Sequence, residues 1–168
     1  GYVKLRACKD NGSYKKGGVF SKIGFPCGTR LEVKARLTKL VRGGFPAIWQ
    51  MPMGAPEWPR GGEIDLMEWV QGSPKQIFQT VHTFYINGET GSAGVTNKEA
   101  DKNFDVTKDH VYAVQRTEKE LIFYVDGKET WKYENQHLDK EKLQYPFCEY
   151  PFNIILNFSL GGELNGMM

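Results

Sequence analysis

Apolar and charged residues alternate with a period of two along most of this chain, and that alternation restricts its fold more than any other feature. Leu31, Val33, Ala35 and Leu37 alternate with Arg30, Glu32, Lys34, Arg36 and Thr38. Val3, Leu5 and Ala7 do the same with Lys4 and Arg6, and Ile154, Leu156, Phe158 and Leu160 with Asn153, Ile155, Asn157 and Ser159. Side chains that switch face at every residue describe half-buried β-strands. Leu121, Phe123 and Val125 run into Asp126-Gly127, a two-residue hairpin turn, with the next strand resuming over 130–133. Many short strands between Gly, Pro and Asn loops predict an antiparallel sandwich or barrel. Only 139–144 reads as a turn of helix, and 46–62 and 87–105 are the longest irregular segments.

Length and charge narrow the function classes. A chain of 168 residues, 40% hydrophobic, is one domain with a sizeable core, spanning 1–168. No apolar run approaches the ~18–20 residues of a membrane span. Formal charge is +2, from 22 Lys+Arg interleaved with 20 Asp+Glu, so neither nucleic acid nor an anionic membrane is an expected partner. Gly1 leads straight into a strand pattern, as a mature or excised segment would, so no compartment is read from the start of the sequence. Cys8, Cys27 and Cys148 form no C-x-x-C pair and are an odd number; they read as small buried hydrophobes. A Cys8–Cys27 bridge would require their strands to pair.

The chemistry concentrates in Glu63-Ile64-Asp65-Leu66-Met67-Glu68-Trp69. On a regular strand Glu63 and Asp65 share a face and Glu68 points to the other. A β-bulge between Asp65 and Glu68 returns Glu68 to the same face, leaving Ile64, one of Leu66 or Met67, and Trp69 for the core. Crowded carboxylates repel, so at least one should hold a proton near neutral pH. Two carboxyls ~5–5.5 Å apart are what retaining glycoside hydrolysis needs. The bland alternatives are a solvent-facing strand paired with lysines and a calcium site. The apolar reverse face argues against the first, and the strand-like run, unlike a calcium loop, against the second.

With those residues in place, Glu63-Ile64-Asp65-Leu66-Met67-Glu68 resembles the E-x-D-x-x-E signature of glycoside hydrolase family 16, in the bulged form of laminarinases (β-glucanases), agarases and endo-β-galactosidases. The resemblance extends to Tyr14-Lys15-Lys16-Gly17-Gly18, Phe45-Pro46-Ala47-Ile48-Trp49, Trp58-Pro59, His82, the Tyr124-Val125-Asp126-Gly127-Lys128 hairpin and Ile155-Leu156-Asn157-Phe158. It implies a two-sheet antiparallel jelly roll of the concanavalin-like kind, all-β, with the acids on a concave face. It implies Glu63 as nucleophile, Glu68 as general acid/base and Asp65 as the residue tuning Glu63. A retaining endo-β-glycosidase of this kind acts as a monomer on a polysaccharide or long glycan, secreted, periplasmic or on the cell surface. It needs no catalytic cofactor, and a structural calcium is compatible with the family. Laminarin-type β-1,3-glucan is the commonest substrate of the bulged signature. His82-Thr83-Phe84-Tyr85 and the stretch 138–150 look more like gut-bacterial members acting on galactose-containing glycans.

Around the cluster, Trp58 and Trp49 are candidate sugar platforms, because pyranose faces stack on indoles. Trp69 reads as core. His82 and Asn157 are candidate cleft residues, and Arg36, on a polar strand face, a further subsite candidate. His110 and His137 read as solvated, and no His spacing suits zinc. Two departures from the family stand out. Gln115-Arg116 occupy positions where the family usually has Glu-Trp, which would alter a subsite. Both ends also lie inside the family's usual span, so terminal strands are expected to be lacking. The rival reading is a carbohydrate-binding jelly roll without catalysis.

Overall fold

A computed structural model describes residues 1–87, 95–96 and 104–161. A small hairpin, β1 (Cys8–Asp10) with β2 (Ser13–Lys15), precedes two larger antiparallel sheets. The strands after it are β3 (Gly17–Phe20), β4 (Arg30–Ala35), β5 (Gly44–Pro52), β6 (Glu63–Glu68) and β7 (Phe78–His82). A short helix α1 (Phe84–Asn87) and β8 (Val95–Thr96) follow, then β9 (His110–Arg116), β10 (Glu120–Val125), β11 (Lys128–Glu134) and β12 (Phe152–Leu160). The six-stranded sheet runs β3-β12-β5-β6-β7-β8, and the four-stranded sheet runs β11-β10-β9-β4. The expected two-sheet antiparallel sandwich is the architecture observed.

Burial explains the pairing of the sheets. Ile48, Ile64, Leu66, Met67, Val81 and Phe152 from the first sheet meet Tyr112, Val114, Leu121, Phe123 and Tyr133 from the second. Along β4, Leu31, Val33 and Ala35 turn inward while Arg30, Glu32 and Lys34 stay exposed, as alternation requires. The Asp126-Gly127 turn joins β10 to β11 with φ of 51° and 79°, the left-handed geometry of a type I′ hairpin. The 139–144 expectation becomes a single 3-10 turn, Lys140–Lys142.

Other expectations are corrected. Residues 1–7 form no strand and are largely exposed, because no described strand pairs with them there. The first half of 46–62 is regular: Pro46 to Pro52 belong to β5, whose nine-residue ladder with β12 is the longest in the protein's described residues. Much of 87–105 falls outside the described residues. His110 is not solvated; its Nδ1 lies 2.6 Å from Asp126 Oδ2 and its ring 4.1 Å from that of Phe104.

The cysteines also depart from expectation. Cys27 and Cys148 form a disulfide with Cα atoms 5.0 Å apart, and Cys8 is free and exposed. Beside the disulfide, Arg116 is buried and donates to the carbonyls of Phe147 (2.6 Å), Pro26 (2.9 Å), Tyr150 (3.2 Å) and Phe25. Its guanidinium also lies over the Phe152 ring at 4.6 Å. Gln115-Arg116 therefore sit in the four-stranded sheet and build no cleft wall. Arg116 instead ties the 25–26 loop to the 147–150 loop that the disulfide also joins.

The disulfide closes a long loop, with a sequence separation of 121. Loop-closure arguments put its contribution at about 2–4 kcal/mol. Urea unfolding with and without a thiol reductant should show a difference in unfolding free energy of that size. Cys27→Ser should reproduce the reduced curve.

Candidate active site

The site is built by an irregularity in β6. Asp65 pairs with Thr80 and Glu68 with Phe78, so two residues of β6 oppose one of β7. On the other side Ile48 pairs with Met67 and Trp49 with Asp65, leaving Leu66 as the extra residue. This is the expected β-bulge. Leu66 and Met67 are both buried, at 0% and 4% exposure, so the reverse face takes both rather than one. Glu63, Asp65 and Glu68 consequently line one cleft of about 380 Å³. Gly62 precedes the strand at φ 84°, and a Cβ there would lie 2.6 Å from the Phe147 ring, so both the backbone and the space favour glycine.

The acids occupy distinct environments. Asp65 is 2% exposed, and burial, then the charges of Glu68 and Glu63, push its carboxyl well above the usual carboxylate range. The Glu63 side chain next to it adds to that rise. Asp65 Oδ2 lies 3.4 Å from His82 Nε2 and accepts no hydrogen bond. Glu63 Oε2 accepts from Trp58 Nε1 at 2.5 Å. Glu68 Oε2 accepts from Thr80 Oγ1 at 3.2 Å. Burial raises the Glu68 carboxyl, while the Thr80 hydrogen bond and the nearby His82 hold that rise in check. Asp65 and Glu68 are thus both raised, Glu68 against opposing contacts, and raised carboxyls in a cleft mark candidate acid/base groups.

Neighbouring strands supply the walls. Trp49 Nε1 donates to Asn157 Oδ1 at 2.6 Å, and Asn157 Nδ2 to Ser159 Oγ at 3.3 Å, which ties the indole to β12. Trp58, 44% exposed, stands with its ring 5.7 Å from that of His82. Trp49, Trp58, His82 and Asn157 therefore gather around the acids. Arg36 does not. It continues the outward row of Arg30, Glu32 and Lys34 beyond β4, in the opposite sheet, and its Nε lies 3.7 Å from Asp109 Oδ1. Trp69 is core, as expected, at 2% exposure. Thr80 and Ile155 were missed; each stands at alternate spacing from a chosen residue, His82 or Asn157, and face parity alone would have found them. Donor atoms of Glu63, Asp65 and His82 lie within 4.8 Å of one another, the grouping among the described residues that could hold a cation.

Comparison with known proteins agrees with this geometry. Residues 6–165 match the family described as glycosyl hydrolases family 16. A "Beta-glucanase" of Rhodothermus marinus is 34% identical over 147 residues, 82% of this chain and 49% of the relative. A "Keratan-sulfate endo-1,4-beta-galactosidase" of Sphingobacterium multivorum is 32% identical over 160 residues, 92% of this chain and 36% of the relative. The chain thus spans half or less of the length of these curated relatives. A solved structure from work on endo-acting O-glycanases, which prominent members of the human gut microbiota express to initiate mucin breakdown, is 98% identical. It superposes with a TM-score of 0.94 over 98% of this chain and 68% of the other. The Rhodothermus marinus laminarinase structure gives a TM-score of 0.75 at 30% identity over 95% of this chain and 66% of its own.

The raised Asp65 carboxyl carries a prediction for stability. The folded state binds its proton more tightly than the unfolded chain, whose aspartates titrate near ~3.9. Its contribution is therefore complete below that pH and is lost as pH rises through the folded value. Each unit of elevation costs about 1.4 kcal/mol above it. Asp65→Asn should be increasingly more stable than wild type as pH climbs from acid to neutral. Parallel stability curves would show that Asp65 is not elevated.

Proposed function

Because the chain belongs to glycosyl hydrolase family 16, we propose that it is a retaining endo-β-glycosidase that cleaves internal linkages of a long glycan. The observation that carries this reading is the bulged strand, which sets Glu63, Asp65 and Glu68 on one cleft face in three unlike environments. Glu63 is the nucleophile. Its carboxylate attacks the anomeric carbon while Glu68, kept protonated by burial, gives its proton to the departing glycosidic oxygen. Glu68 then takes a proton from water, whose oxygen displaces Glu63 and restores it. Two inversions at the same carbon leave the β-configuration unchanged.

Asp65 serves this sequence through Glu63. Its carboxyl, whose proton affinity is raised by burial beside Glu63, orients the nucleophile and stabilises its charge when it departs in the second step. The Trp58 N–H does the same at Glu63 Oε2. The steps as proposed use only side chains of this chain.

For the substrate, the 98% identity to the structure associated with endo-acting O-glycanases and mucin breakdown favours galactose-containing O-linked glycans. The keratan-sulfate endo-1,4-beta-galactosidase likeness points to the same class. β-1,3-Glucan is the second reading, favoured by the Beta-glucanase relative. An extracellular, periplasmic or cell-surface location fits both glycans, and the Cys27–Cys148 disulfide suits an oxidising compartment. Among the described residues no helix is long and apolar enough to cross a membrane.

Reducing-end release from mucin O-glycans, poly-N-acetyllactosamine, keratan sulfate, laminarin, barley glucan, agarose and porphyran tests the reading. Release should be greatest on the galactose-containing glycans. Glu63→Gln should remove nearly all of it, and Glu68→Gln should lower kcat by about 10²–10⁴-fold. Binding without release in the wild-type protein would make it a carbohydrate-binding module instead.

A further inference from the structure

The cleft face of the six-stranded sheet continues beyond the residues that surround the acids. Strand registers allow one row to be followed across it. Thr80 pairs with Asp65, Asp65 with Trp49, Trp49 with Ile155, and Ile155 with Phe20. Residues directly paired across antiparallel strands point to the same face. Asp65, Trp49 and Ile155 all line the cleft, so Phe20 on the edge strand β3 belongs to that face too. The neighbouring row ends without a side chain: Glu68 pairs with Ala47, Ala47 with Asn157, and Asn157 with Gly18. Gly18 thus puts no side chain next to Phe20 on that face, and Phe20 is 70% exposed.

We propose that Phe20 is a distal sugar platform, whose ring stacks on the apolar face of a pyranose held on the β3 side of the cleft. This rests on the glycosidase reading above and extends it to substrate length. With strands ~4.8 Å apart, Phe20 lies about 14 Å from Asp65 and about 10 Å from Trp49 across the sheet. A β-linked pyranose advances by roughly one strand spacing. A glycan crossing the strands thus sets one ring on Trp49, the next over Ile155 and a third on Phe20. An aromatic face offers a large contact area without a directional polar partner, so the subsite takes pyranoses by shape. Binding energy gathered this far from the reacting carbon favours long chains over short ones.

The test uses Phe20→Ala and Phe20→Tyr with ladders of poly-N-acetyllactosamine and laminari-oligosaccharides of increasing length. Turnover is measured on the active protein, and affinity by calorimetry in a Glu63→Gln background. Phe20→Ala should raise KM and Kd by about three- to tenfold for chains long enough to reach β3. It should leave shorter chains and kcat unchanged, and Phe20→Tyr should behave as wild type. An equal loss at every length, or no loss at any, overturns the platform. If the wild-type protein releases no reducing ends from either ladder or from the other glycans tested above, the glycosidase reading fails. The length dependence of Kd then decides Phe20 alone, supporting it if affinity falls only for long chains and overturning it otherwise.

Discussion

The extra residue in β6 is the constraint on which the site depends. Strand alternation would drive Glu68 into the sandwich core, where an ionised carboxylate without a partner is strongly unfavourable. By inserting Leu66, the chain buries two consecutive apolar side chains and returns Glu68 to the face of Glu63 and Asp65. The core and the cleft are thus made by the same irregularity. Ile64, Leu66 and Met67 hold β6 against the second sheet, and the acids are fixed because those anchors are.

Close packing of the acids then creates their chemistry. Asp65 is buried deepest, and its carboxyl is raised well above the usual range; Glu68 is raised but tempered by Thr80 and His82. Glu63 is engaged from two sides, by Asp65 and by the indole N–H of Trp58. The stability lost by crowding carboxyls on one strand is the physical counterpart of a site pre-arranged for charge movement. The walls reinforce this rigidity, since Trp49 is pinned to Asn157 on the strand next to it.

What the sequence made legible was whatever depended on local alternation. The bulge could be read because Ile64, Leu66, Met67 and Trp69 bracket the acids and demand a buried reverse face. The Asp126-Gly127 hairpin could be read because two consecutive left-handed residues suit Asp and Gly. Arg36 misled because alternation reports a polar face without saying which sheet owns it. The Cys27–Cys148 disulfide and the carbonyl contacts of Arg116 join segments far apart in sequence, 121 residues for the disulfide and 31 to 91 for Arg116, and nothing local announces them. Trp58 was legible as a cleft aromatic, but its hydrogen bond to Glu63 required the loop's conformation. Residues 1–7 alternate like a strand yet have no described partner to pair with, so their propensity has nothing to act on.

The account stands on the double displacement at Glu63, and the anomeric form of the first product reports it directly. Proton NMR during early hydrolysis of poly-N-acetyllactosamine, or of laminarin if that is the glycan cleaved, distinguishes the two stereochemical courses before mutarotation mixes them. Appearance of the β-anomer first, with the α-anomer growing in later, is the predicted result. Initial release of the α-anomer would mean direct attack by water and would contradict the role given to Glu63.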